Sequence, residues 1–231
     1  MRDRSGTVVA HTGQSLAEYL AGLAESAVQA QRQGPGDREQ GTPPGAVRLA
    51  VDGPVPQDGA DLADAVADVL ACRAVPVARV RGEHFLRARS IRLEHGDDPD
   101  AYAELWYDLS ALRREVLDPL GPGGSQRWLP RLRDPVTDRP FREAAQLAPT
   151  GTVAVVDATF LARWEIADAV DLRVHLDVSA AAQARRLPDP LRSRATQAWA
   201  RYLEDVDPAS SATVVVRYER PGHPAVTGSP A

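Results

Sequence analysis

Five short runs of β-branched and small apolar residues recur along the chain, at 47–51, 76–80, 152–156, 172–178 and 213–218. Between several of them lie segments whose apolar residues repeat at helical spacing, as Leu62, Val66, Val69 and Leu70 do. Strands separated by helices pair in parallel through right-handed crossovers, and both faces of the resulting sheet are covered. The pattern therefore predicts an α/β fold, a doubly wound, mostly parallel sheet with helices on both faces. In such sheets ligands bind beyond the carboxyl ends of the strands, so the residues that follow each strand carry the functional question.

Composition narrows the chemistry. The 231 residues suit one domain with a continuous core, and the net charge of −5 argues against a nucleic-acid partner. No apolar run approaches the roughly 18 residues that cross a bilayer, and no apolar stretch follows the charged start, so no membrane partner is expected and the cytoplasm is the expected location. The one cysteine, Cys72, falls in a helical pattern and is expected to fill core. All 27 basic residues are arginine. Schiff-base chemistry, lysine-activated serine hydrolysis and the lysine of a phosphate-binding loop are thereby excluded.

The chain divides into three stretches. Residues 1–46 hold a helix expected over about 14–31, with Leu16, Tyr19, Leu20, Leu23, Ala27 and Val28 on one face, and then a Gly/Pro-rich linker. That helix is expected to pack on the domain or on a second subunit, which leaves a homo-oligomer open. Residues 47–226 form the α/β domain, with a lid-like segment at about 183–205, and residues 227–231 form a flexible tail.

Beyond the first strand come Gly53, Asp58, Gly59 and Ala60, placed where a phosphate-binding loop of the form G-x-x-x-x-G-K-[ST] would stand. Asp58 replaces the second glycine, Gly59 the lysine and Ala60 the hydroxyl residue that binds magnesium. At about 4 Å, Asp58 would repel a phosphate charge by about 1 kcal/mol in water and about 4 kcal/mol at an effective dielectric near 20. The alternative is that Asp58 caps the helix and Asp61 adds negative charge to its first turn. After the second strand, Glu83 could take a proton from a substrate hydroxyl, with His84 assisting and Arg87, Arg89 and Arg92 holding an anionic group. These residues could equally pair on a solvated surface. Asp157 closes the third strand, where nucleotide enzymes place magnesium and its waters. Arg185, Arg186, Arg192, Arg194 and Arg201 lie on an expected helix-loop-helix around Pro188 and Pro190, able to close over phosphates or to form a solvated face.

Ordered along the chain, Val51-Asp52-Gly53-Pro54, Glu83-His84-Phe85, Leu117 to Gly124, Val155 to Leu161 and Val174 to Val178 resemble the uridine kinase family of P-loop nucleoside kinases, over about four fifths of the sequence. The resemblance implies ATP and Mg2+ as cofactors and phosphoryl transfer to the 5'-hydroxyl of a small nucleoside such as uridine or cytidine. It makes Glu83 the base, Asp157 the magnesium-side carboxylate, and Arg185 and Arg186 the lid arginines. His84, Phe85, Arg87, Tyr102, Trp106 and Tyr107 would face the nucleoside. The sequence departs from the family at the phosphate loop itself. An inactive relative that binds a small ligand or a protein partner is therefore the alternative.

Overall fold

A computed structural model of the chain describes residues 8–33 and 45–227. In chain order the elements are β1 (Val8–Ala10), α1 (Gly13–Gln33), β2 (Val47–Asp52), α2 (Pro56–Cys72) and β3 (Val77–Arg81). A 3-10 turn (Gly82–Phe85) leads to α3 (Arg89–Arg92), α4 (Pro99–Leu105) and α5 (Leu109–Leu112), which runs through a π turn into α6 (Asp118–Leu120). A small pair, β4 (Arg127–Trp128) and β5 (Gln146–Leu147), precedes β6 (Val153–Ala158) and β7 (Leu172–Asp177). The chain ends through α7 (Ala180–Arg186), α8 (Asp189–Val206), β8 (Val214–Arg217) and β9 (Ala225–Thr227).

The main sheet runs β1-β9-β8-β7-β2-β6-β3. Its five core strands, β3 to β8 across the sheet, pair in parallel, while β9 and β1 extend the edge in antiparallel fashion. The expected α/β class and the five parallel strands are present. Both faces of the central strands are buried, which explains the continuous apolar run Val153-Ala154-Val155-Val156 in β6, while Arg48, inside β2, is buried against Asp171. The strand β2 connects through α2 to β3 across the intervening β6, so β2 and β6 are neighbours whose carboxyl ends open on the same side.

Side chains alternate between two cores. Val47, Leu49 and Val51 point to one face, where Leu62, Val66 and Leu70 of α2 and Leu16, Leu20 and Val28 of α1 cover them. Ala50, Ala154 and Val156 point to the other, where Tyr102, Leu112, Phe160, Trp199 and Tyr202 close the core. The helix α1 thus shares a core with the sheet. The Gly/Pro-rich linker falls largely outside the described residues, as does the tail beyond residue 227, and Thr227 itself belongs to β9.

One core assignment is corrected. Cys72 is exposed, because it is the last residue of α2 and lies off the stripe formed by Leu62, Val66 and Leu70. No helix among the described residues is long and apolar enough to cross a membrane.

Candidate functional site at the strand carboxyl ends

Only Gly53, Pro54 and Val55 separate β2 from α2, so the helix begins before the positions at which a phosphate loop would still be open. Pro56 supports this early start, since its fixed φ and missing N–H suit the first helical turn. The amides of Asp58 and Gly59 already donate to Val55 O, at 3.0 and 3.3 Å. Pro54 and Pro56 have no amide hydrogen to offer. The ring of free N–H groups that cradles a phosphate therefore does not form.

Asp58 does not cap α2, whose N-cap is Val55 without a side-chain bond. Its carboxylate is almost wholly buried and pairs with the Arg186 guanidinium from α7. Arg186 also donates to Tyr218 O at 3.1 Å and Ala182 O at 3.3 Å, which fixes the fork in place. Burial pushes the Asp58 carboxyl up to about 6, against the pull of Arg186 and with a smaller push from Asp61. The arginine expected to reach transferring phosphates is thus held by an internal carboxylate. Arg185, its neighbour, is exposed.

Asp157 lies one strand over, beneath Gly59, whose added Cβ would stand 3.8 Å from Asp157 Cβ. The carboxylate is 5% exposed and meets Arg79 Nη2 at 2.6 Å. Arg79 in turn donates from Nε to Asp64 at 2.8 Å, and Arg81 reaches the same Asp64 at 2.5 Å. Burial raises the Asp157 pKa, and the nearby Arg79 guanidinium opposes the shift. A magnesium-side carboxylate needs free lone pairs facing metal-bound water. This one faces a guanidinium. With no lysine, no hydroxyl at position 60 and both carboxylates paired, the residues present do not fit MgATP.

The acceptor side is assembled differently from the sequence expectation. Glu83 is exposed at the end of β3. Its position depends on Gly82, where a Cβ would collide with Asp157 O and stand 2.8 Å from Ala158 Cβ. His84 is half-buried, edge-on to Phe141 at 5.7 Å, and burial lowers its pKa. Phe85 and Tyr102 are each 1% exposed and pack in the core, so neither presents a ring face to a ligand. The guanidinium carbons of Arg92 and Arg194 each lie 4.8 Å from the Trp106 ring centroid, so Trp106 is already packed by the protein's own charges. Arg87 donates from Nε to Tyr107 O at 3.4 Å. Tyr107 is pushed up to about 12, mainly by burial, with Asp157 and Glu83 adding to the shift.

A buried polar cluster escaped the sequence reading. Asp52, at the end of β2, is fully buried and accepts from Leu161 N at 3.0 Å and Tyr202 OH at 2.9 Å. His175 Nδ1 lies 3.2 Å from the same carboxylate, and its ring stacks on Trp199 at 5.7 Å. Tyr202 OH also accepts from Ala162 N at 2.8 Å. Between these anchors Phe160 is held at φ +71, an uncommon backbone conformation for a buried aromatic residue. The cluster fixes the loop after Asp157 to β2, β7 and α8 together. Only the Asp before Gly53 marked it in the sequence, since its partners lie far along the chain.

The site sits where a nucleotide-binding α/β sheet places its ligands, and the strand order runs through the same switch between β2 and β6. The same arrangement, a mostly parallel sheet with helices around it, occurs in solved structures described as kinases. A solved structure described as a possible uridine kinase from Bacillus stearothermophilus matches with a TM-score of 0.65 at 20% identity, covering 87% of this chain and 97% of that one. A protein provisionally assigned as a fructose transport system kinase, from Silicibacter sp. TM1040, matches at 0.52 and 19% identity, covering 87% and 92%. D-glycerate 3-kinase from Cryptococcus neoformans var. grubii matches at 0.52 and 15% identity, covering 71% and 73%. No protein-family model matches the chain, and no curated protein matches it by sequence.

Proposed function

We propose that this chain is a uridine-kinase-like protein in which the ATP half of the fold has become structural, so that it acts as a small-ligand-binding module without phosphoryl transfer. The observation that carries this reading is the Asp58–Arg186 pair, which fills the place of a bound phosphate with the protein's own charges. The Arg79–Asp157 pair supports it on the metal side. Losing several phosphate-binding elements together removes the positioning and charge stabilisation on which phosphoryl transfer depends. The turn after β3 keeps exposed or half-exposed polar groups, Glu83, His84 and Arg87.

Isothermal titration calorimetry with MgATP tests the reading. The unmodified protein is expected to give no binding heat. The triple variant Asp58→Gly, Gly59→Lys, Ala60→Thr is expected to give none either, because Pro54, Pro56 and the early start of α2 remain and still withhold the free N–H groups of a phosphate cradle. Micromolar binding of MgATP by the unmodified protein would overturn the proposal. It would favour instead an ATP-dependent phosphotransferase acting on a uridine or cytidine hydroxyl, with Glu83 as base.

A further inference from the structure

Between α4, α8 and the loop after β6 lies a cavity of about 140 Å³ that is separate from the turn after β3, since Glu83, His84 and Arg87 do not line it. Buried Phe160, Ala198 and Tyr202 line its inner part, and half-buried Ala103 and Val206 its outer part. A space of about 150 Å³ holds a benzene-sized molecule, so a compact ligand of that size fits here. The lining is fixed by bonds within the protein. Tyr202 OH is held between Asp52 and Ala162 N, and the Phe160 ring lies edge-on to Tyr202 at 5.2 Å. Arg163 Nη1 donates to Ala103 O at 2.6 Å and joins the loop to the end of α4. The cavity is therefore pre-formed, as small-ligand sites usually are.

The charges around it select the ligand. Arg163 is taken up by Glu165, at 2.5 Å from Nη2, and Arg201 by Asp100. Two further carboxylates line the cavity, Glu104 and Asp205, both exposed and neither in an ion pair among the described residues. Both cations at the cavity are thus already matched, and two anions are not. Asp205 and Val206 belong to the last turn of the 18-residue α8, which has no basic side chain there to answer the negative pole of the helix. An anionic ligand would meet repulsion from the carboxylates and from the helix end together. We propose that this cavity binds a small organic cation, an ammonium group on a compact apolar body. The apolar body packs on Ala103, Val206 and Tyr202, and the charge faces Glu104 and Asp205. This site goes beyond the small-ligand reading of the turn after β3 and does not depend on it.

Nuclear magnetic resonance titration of the isotope-labelled full chain with butylammonium tests the site, with n-butanol and butyrate as neutral and anionic probes of the same chain length, at constant ionic strength. Saturable shifts of the Ala103, Glu104, Asp205 and Val206 amides are expected with butylammonium alone, at a dissociation constant of about 1–10 mM for so small a ligand. The double variant Glu104→Gln, Asp205→Asn should weaken binding about tenfold. Ala103→Leu should abolish it by filling the space, with the melting temperature near that of the parent. Asp68→Asn, which removes an exposed carboxylate on α2, should leave the affinity unchanged. The proposal is overturned by the absence of saturable shifts at these amides, by equal binding of butanol or butyrate, or by full affinity in the double variant. An equal loss in Asp68→Asn overturns it as well, because attraction to the net negative charge of the chain would then explain the binding. None of these readouts involves MgATP, so this site and the loss of the ATP site fail separately.

Discussion

Asp58, at the start of α2, is buried in an internal contact with Arg186 of α7. Its buried carboxyl titrates near 6 in the folded chain, against 3.8 for the free group. The folded state therefore holds a proton that the unfolded state has already lost between these values. Stability from this group is fully present below about pH 3.8 and falls as pH rises towards 6. The fall is at most about 1.4 kcal/mol for every pH unit crossed between the two values, and less where solvent screens the pair. The melting temperature of the unmodified protein minus that of Asp58→Asn is expected to drop across this window and level off above it. A difference independent of pH would mean that Arg186 holds the carboxylate charged throughout. The absence of the loop's lysine and hydroxyl was plain in the sequence. The pairing of Asp58 with Arg186, 128 positions away, was not, because no local pattern joins a residue on α2 to one on α7.

At the scale of elements, the loop after β6 depends on hydrogen bonds contributed by β2, β7 and α8. Tyr202→Phe removes the hydroxyl that donates to Asp52 and accepts from Ala162 N, leaving buried polar groups unsatisfied on both sides. A loss of about 1–3 kcal/mol is expected. Thermal unfolding would show it as a fall of roughly 2–4 °C per kcal/mol for a domain of this size. An unchanged melting temperature would mean that water replaces the hydroxyl and that the loop holds itself. Of the five parallel strands, β6 was the most legible, because burial on both faces demands a continuous apolar run, as in Val153-Ala154-Val155-Val156. The edge strands β1 and β9 were not, since three residues each give too short a run to show a period. The two-residue β4 and β5 are shorter still. Phe85 and Tyr102 misled for a related reason: an aromatic residue near a strand end serves a core or a ligand equally well in sequence, and here the core took both.

For the whole molecule the open question is whether the first 33 residues are an attachment or part of the folding unit. The strand β1 lengthens the sheet through β9, and α1 buries Leu16, Leu20 and Val28 in the same core as Leu49, Val51 and Leu70. Each of those three side chains contributes about 1.5–3 kcal/mol when fully buried. Their combined contribution is comparable to the roughly 5–15 kcal/mol that keeps a domain folded. Removing residues 1–33 would also uncover part of the core that α1 shares with α2 and the sheet. The shortened chain is expected to lose its cooperative thermal transition and to associate in size-exclusion chromatography, whereas the full chain melts sharply. If the shortened chain instead melts cooperatively within a few degrees of the full one, the sheet and α2 are self-sufficient. The N-terminal helix would then be free to leave the domain and serve a second copy or another partner.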